Sequence, residues 1–132
     1  MTIRARNRFL AVGAMIAVAV VVLLPILAST WGGGVREIHI TTRDMTFYVD
    51  GSAEPNPTIV LRAGERVKLV LRNEDAGMSH DFAVKAWTVG TKLLEDRGEE
   101  DVITFQAPAE PGTTTYNCTP HAKMMSGTLR VE

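Results

Sequence analysis

The chain's only cysteine lies near its C-terminus in the run Tyr116-Asn117-Cys118-Thr119-Pro120-His121-Ala122-Lys123-Met124-Met125-Ser126-Gly127-Thr128-Leu129, with a histidine and two adjacent methionines. Thiolate, imidazole and thioether are soft or borderline donors, whereas magnesium and calcium prefer carboxylate and carbonyl oxygen. Cys118, His121, Met124 and Met125 therefore read as metal ligands, for copper above all. Taken singly, each has an ordinary use: a lone cysteine as a small buried hydrophobe, a methionine as core filler, a histidine as a hydrogen-bonded core residue. Their concentration in one loop is what points to a metal.

A thiolate and imidazoles with a weak, long thioether on the axis make up the donor set of a blue-copper electron-transfer site. Such a set needs a second histidine, and the chain offers His39 and His80. Alternation separates them. In His80-Asp81-Phe82-Ala83-Val84-Lys85, positions 80, 82 and 84 share one strand face with two large apolar side chains, so His80 points inward. In Glu37-Ile38-His39-Ile40-Thr41 the apolar parity belongs to Ile38 and Ile40, which leaves His39 on the polar face. The same parity puts Tyr116 and Cys118 on one face, so His80 and Cys118 can meet at one pole of a shared core.

These residues in this order resemble a small cupredoxin of the plastocyanin, pseudoazurin and amicyanin type. The likeness is carried by Gly77-Met78-Ser79-His80-Asp81-Phe82 and by Phe105-Gln106-Ala107-Pro108-Ala109-Glu110-Pro111-Gly112 leading into Thr115-Tyr116-Asn117-Cys118-Thr119-Pro120-His121. It covers roughly residues 35 to 132, and Cys-x-x-His followed by Met-x-Gly-Thr is its specific part. The resemblance implies one mononuclear type 1 copper with His80, Cys118 and His121 as equatorial ligands. Met125, in Met125-Ser126-Gly127-Thr128, is the expected axial ligand, and Met124, three residues after His121, is the alternative. Asp81 stands where the family commonly has asparagine, with Thr119 as the expected partner tying the two ligand loops together.

The function so implied is one-electron transfer between Cu(II) and Cu(I), by a carrier that is not an enzyme and binds no small-molecule substrate. His121 is then the electron's exit. Around it Pro120, Ala122, Met124 and Met78 form an apolar patch for a transient redox partner of the small, weak kind. A second role for the same metal is copper storage or delivery to a membrane oxidase, which the adjacent Met124 and Met125 keep open. Zinc held by Cys118, His80, His121 and Asp81 is a competing site. Hydrolysis by a Cys118 nucleophile with His121 as base is a weaker one, because nothing supplies a helix N-terminus to lower the thiol pKa or a third residue to orient the base.

The elements that must position these ligands are short alternating segments: 35–42, 58–61, 66–73, 80–86, 101–106, 113–118 and 128–132. Ala63-Gly64-Glu65 reads as a hairpin turn, Pro55 and Pro57 break the stretch after Asp50-Gly51, and Pro108 to Gly112 is a loop. Many short strands without a convincing amphipathic helix predict an all-β Greek-key β-sandwich over residues 35–132. The exception is Thr88 to Glu100, where Lys92-Leu93-Leu94-Glu95 could form a helical turn before an acidic run, expected to be a solvated loop, that could otherwise dock a cationic partner.

Ahead of this domain, Arg4, Arg6 and Arg8 in residues 1–8 precede a stretch from Phe9 to Ala28 that carries no charge. Twenty helical residues at about 1.5 Å rise span about 30 Å, the thickness of bilayer hydrocarbon, so residues 9–28 are an expected transmembrane helix, retained as an anchor or removed as a signal. Residues 29–34, with Gly32-Gly33-Gly34, read as a tether. The arginines keep the N-terminus in the cytoplasm and export the rest to the periplasmic or extracellular side. That compartment favours disulfides, and an exported lone thiol is explained by metal ligation. Setting aside the three leading arginines leaves 11 basic residues against 15 acidic, a net charge of −4. No basic face for nucleic acid is evident.

Overall fold

Strict alternation builds the two strands at the centre of the first sheet. In β1 (Arg36–Arg43) Ile38, Ile40 and Thr42 are buried and their neighbours face outward; in β4 (Arg66–Asn73) Val67, Leu69, Leu71 and Asn73 do the same. The computed structural model describes residues 33–132, so the basic N-terminus, the expected membrane span and all of the tether except the exposed Gly33 and Gly34 lie outside the described residues. Among those residues no helix is long and apolar enough to cross a membrane.

The remaining strands are β2 (Thr46–Val49), β3 (Ile59–Leu61), β5 (Ala83–Val84), β6 (Val89–Gly90), β7 (Glu100–Gln106), β8 (Gly112–Asn117) and β9 (Ser126–Val131). They form a sheet in the order β2-β1-β4-β7 and a second in the order β3-β9-β8-β5-β6. The chain changes sheet repeatedly, which makes β1·β4 and β3·β9 parallel while the other pairs are antiparallel. The only helix among the described residues is a 3₁₀ turn at Lys85–Trp87. The result is the all-β sandwich expected from the pattern.

Between the sheets Phe47, Phe82 and Tyr116 are fully buried and form one aromatic cluster, with centroids 5.2 Å apart for Phe82 and Tyr116 and 5.4 Å for Phe47 and Tyr116. The Tyr116 hydroxyl donates to the Pro57 carbonyl at 2.7 Å, which satisfies the one polar atom of that cluster. Two of these three residues lie beside expected ligands in sequence, so the cluster is the floor on which the site rests.

Four local expectations are corrected. Ala63-Gly64-Glu65 is not a hairpin turn, because β3 pairs with β9 and β4 with β1 and β7; the turn, with Gly64 at φ +71°, passes the chain from one sheet to the other. Residues 80–86 are not one strand: His80 makes an isolated bridge, β5 is two residues long, and the 3₁₀ turn follows. Lys92–Glu95 is neither a helical turn nor free loop, since Leu94 is fully buried and bridges to His80. Strand β2 was not anticipated. It follows a two-residue turn in which Asp44 and Met45 both have positive φ, 52° and 58°, a conformation usually announced by Asn-Gly or Asp-Gly.

Candidate metal centre

The site is assembled from two segments. His80 is tied to Leu94 by a reciprocal pair of backbone hydrogen bonds, His80 N to Leu94 O at 2.9 Å and Leu94 N to His80 O at 2.8 Å. With Phe82 and Val84 buried on the same parity, the imidazole is turned inward and is 0% exposed. The second segment is the loop from Cys118 to Met125 between β8 and β9. Asn117 faces Ser126 across the two strands, and Cys118 N donates to Met125 O at 3.0 Å, so the antiparallel register runs one pair further. Directly opposed residues of antiparallel strands project to the same face, which puts the Met125 and Cys118 side chains on one side. Both are 0% exposed, whereas Met124 is 60% exposed.

Within the loop, His121 N bonds to Cys118 O at 3.3 Å, and Met124 N and Met125 N both bond to His121 O, at 3.0 and 2.9 Å. These turns fold the loop back and bring the His121 ring under Cys118. Cys118 Sγ then lies 3.7 Å from His80 Nδ1 and 3.6 Å from His121 Nδ1, and the three donor atoms fall within 4.8 Å of one another. Metal–nitrogen bonds of about 2.0–2.1 Å and a metal–sulfur bond of about 2.3 Å, at angles between tetrahedral and trigonal, place sulfur and nitrogen about 3.6–3.8 Å apart. The separations found match, so the cage fits a single ion held by one sulfur and two imidazoles.

Electrostatics argue against a free nucleophile at Cys118. Burial pushes the Cys118 thiol up, while the backbone N–H groups of Asp81 and His121 pull it part of the way back. A buried thiol so disposed is a weak attacking group with no access for a substrate. Metal binding would displace its proton.

Asp81 does not join the donor set. Its Oδ1 accepts from the Thr119 backbone N–H at 2.5 Å, so it ties the two ligand segments together through Thr119, and the four-ligand zinc arrangement loses its fourth member. His39 is exposed and its Nε2 meets Glu37 Oε1 at 2.8 Å, as the parity argument expects. In the acidic run after Leu94, Glu99 Oε2 accepts from Glu95 N at 2.7 Å, Asp101 Oδ2 accepts from Lys92 N at 2.9 Å, and Glu100 Oε1 pairs with Arg72 at 2.8 Å.

Three supports were not legible beforehand. Asp75 Oδ2 lies 2.9 Å from His80 Nε2. Leu94 anchors the His80 backbone. Asn56 donates from Nδ2 to the Met124 carbonyl at 3.2 Å while its Oδ1 accepts from Phe47 N at 3.0 Å, pinning the ligand loop to the opposite side of the core. The available signals were weak: a carboxylate five residues before a histidine and an asparagine between two prolines.

Residues 36–132 match the family described as copper binding proteins, plastocyanin/azurin family. The chain belongs to that family. As a cupredoxin it has His80, Cys118 and His121, with Met125, arranged as a type 1 copper site. No curated protein sequence matches it significantly. Among solved structures, rusticyanin from Thiobacillus ferrooxidans aligns over 75% of this chain and 79% of its own with TM-score 0.58 and 20% identity. Auracyanin A, a "blue" copper protein from Chloroflexus aurantiacus, aligns over 75% of this chain and 100% of its own with TM-score 0.56 and 21% identity. The McoA multicopper oxidase from Aquifex aeolicus shares the fold over 74% of this chain but only 26% of its own, with TM-score 0.59 and 18% identity. At such identities these likenesses speak for the cupredoxin fold alone.

The two methionines of this cupredoxin are separable by experiment. Met125→Leu is expected to raise the reduction potential of the copper-loaded protein by tens of millivolts, because removing a weak donor disfavours Cu(II) and each tenfold change in preference is about 59 mV for one electron. Met124→Leu, at an exposed position, is expected to leave potential and EPR spectrum unchanged. Voltammetry of both variants decides, and a shift confined to Met124→Leu would reverse the assignment.

Proposed function

We propose that this protein is a one-electron carrier working outside the cytoplasmic membrane, held there by residues 9–28, with Met125 as the axial ligand of its copper. The observation that carries the reading is the close approach of Cys118 Sγ to His80 Nδ1 and His121 Nδ1 in a site that is dry on one side and near the surface on the other. Bound copper supplies a Cu(II)/Cu(I) couple; the chain's own residues do the rest. Cys118 provides the thiolate, His80 the buried imidazole, and the aromatic cluster beneath them excludes water. The Cys118–Met125 closure and the Asp81–Thr119 bond hold the loop in one shape, so that ligand positions need not change with charge.

His121 is only partly buried, and Pro120, Ala122 and Met124 of its own loop are exposed beside it, as is Met78 two residues before His80. Residues Thr119 to Met124 line a surface pocket there. This apolar surface is the proposed docking face for a redox partner, of the limited area typical of transient electron-transfer encounters. No substrate need be bound, so no catalysis by the chain alone is proposed. The copper storage or delivery reading draws no support from the site, because Met124 turns outward instead of adding a second thioether beside Met125.

The test is Cu(II) titration of the full-length chain in detergent micelles, followed by optical spectroscopy and voltammetry. An intense thiolate-to-copper band and a reversible one-electron wave are expected. Preference for Cu(I), with release to a competing metal-free site and no reversible wave, would establish the delivery role instead.

A further inference from the structure

The His80 imidazole is gripped from behind by a carboxylate. Its Nε2 lies 2.9 Å from Asp75 Oδ2 while its Nδ1 faces Cys118 Sγ at 3.7 Å. An ionised carboxylate can only accept, so Nε2 carries the proton of that bond and Nδ1 presents a lone pair to the cage. His80 is wholly buried and the Asp75 side chain is 13% exposed, so water does not compete freely for either partner.

Asp75 is itself fixed from several directions. Its Oδ1 accepts from Asp44 N at 2.8 Å and its Oδ2 from Met45 N at 3.2 Å, the two positive-φ residues of the β1–β2 turn. Its own N–H donates to Asn73 Oδ1 at 2.9 Å, and the buried Asn73 donates to Met78 O at 2.8 Å. Asp75 thus joins the β1–β2 turn and the first histidine of the cage through its carboxylate, and the end of β4 through its backbone N–H.

We propose that Asp75 is the positioning residue of the copper centre: it presets the Nδ1-ligating tautomer of His80 before metal arrives and, as a fixed negative charge one imidazole away from the ion, lowers the reduction potential. On reduction the centre gains one electron from a reduced partner protein and loses one unit of positive charge, Cu(II) becoming Cu(I). A neighbouring anion stabilises the more positive state, and a carboxylate behind a ligating imidazole raises its basicity in the same sense. The effect on potential rests on the carrier reading; the tautomer does not.

The decisive measurements use the full-length chain in micelles. In the metal-free wild type, long-range proton–nitrogen NMR correlations are expected to show His80 protonated at Nε2 alone, and protonation at Nδ1 would overturn the positioning role. In the copper-loaded protein, Asp75→Asn keeps an acceptor oxygen but removes the charge, whereas Asp75→Ala removes both. Both variants are expected to weaken Cu(II) binding about tenfold more than Cu(I), a rise of about 59 mV in potential, with the absorption band retained. Asp75→Ala is expected in addition to lose about 10–100-fold in metal affinity. Lowered thermal stability of the metal-free variants with unchanged potential would show that Asp75 serves only the turn, and the proposal would fail. Should Asp75→Ala not fold, Asp75→Asn and the wild-type tautomer still decide. Absence of any charge-transfer band in the wild type would overturn the carrier reading and the charge effect with it, while the tautomer would still judge the positioning.

Discussion

Cys118→Ser is expected to bleach the copper-loaded protein while leaving its fold standing. The intense band of such a site is charge transfer from thiolate sulfur to Cu(II), and a hydroxyl, harder and not ionised near neutral pH, supplies no equivalent donor. Loss of Cu(II) affinity should exceed the roughly 10–100-fold that follows from losing a mere outer partner of a ligand. The fold should survive because the aromatic floor and the Cys118–Met125 backbone bond do not involve the sulfur. The new hydroxyl would also sit near His80 Nδ1 and His121 Nδ1, which lie 3.7 and 3.6 Å from the sulfur it replaces, so it is not left without partners. Optical titration with Cu(II), alongside far-ultraviolet circular dichroism, reads both halves. A persisting band would mean that the thiolate is not bound to the metal.

Gly127→Ala is the substitution expected to cost the most stability for the fewest atoms. Gly127 faces Tyr116 across β8 and β9, and the phenol ring lies over the glycine. A Cβ at that position would come within 2.3 Å of Tyr116 Cζ and Oη and 2.6 Å of Cε1. The ring has little room to yield, being stacked on Phe82, met edge-on by Phe47 and hydrogen-bonded to Pro57 O. Burial also drives the Tyr116 hydroxyl well above its ordinary pKa, a sign of how completely it has left water. Overpacking of this kind costs about 1–3 kcal/mol, occasionally more. At about 4–8 °C per kcal/mol for a domain of this size, the melting temperature of the metal-free protein should fall by roughly 5–20 °C. Because Tyr116 precedes Cys118 by two residues on the same face, a displaced ring should also perturb the copper spectrum. An unchanged melting temperature would show that the ring moves aside freely.

Much of this molecule was readable from alternation and donor chemistry. Inward His80 and outward His39 followed from which parity carried Phe82 and Val84 in one case and Ile38 and Ile40 in the other, because a strand has only two faces. That reading held even though residues 80–86 are a bridge, a two-residue strand and a turn, since side-chain parity survives where ladder hydrogen bonds do not. The readings that failed depended on pairing. Ala63-Gly64-Glu65 has the composition of a tight turn whether its flanking strands pair with each other or with strands in different sheets. Leu94 looked like part of a helical turn because nothing local shows that it will bridge to His80. Strand β2 was hidden because its entry turn takes positive φ at Asp44 and Met45, a strain met by a carboxylate thirty residues away.

The choice between Met124 and Met125 shows the same division. The two are adjacent and chemically identical, and the Met-x-Gly-Thr spacing favours Met125 while leaving Met124 as an alternative; the β8–β9 register continued through Cys118 and Met125 supports the same choice by burying one and exposing the other. By itself the chain's order of residues determined the kind of metal, the ligand types and the sandwich, since donor softness and period-two burial are local properties. Only the tertiary structure decided which carboxylate holds His80, which loop Asn56 pins and which ring closes over Gly127. Each of these is a contact between segments distant along the chain, set by sheet register and packing and written in no single stretch of it.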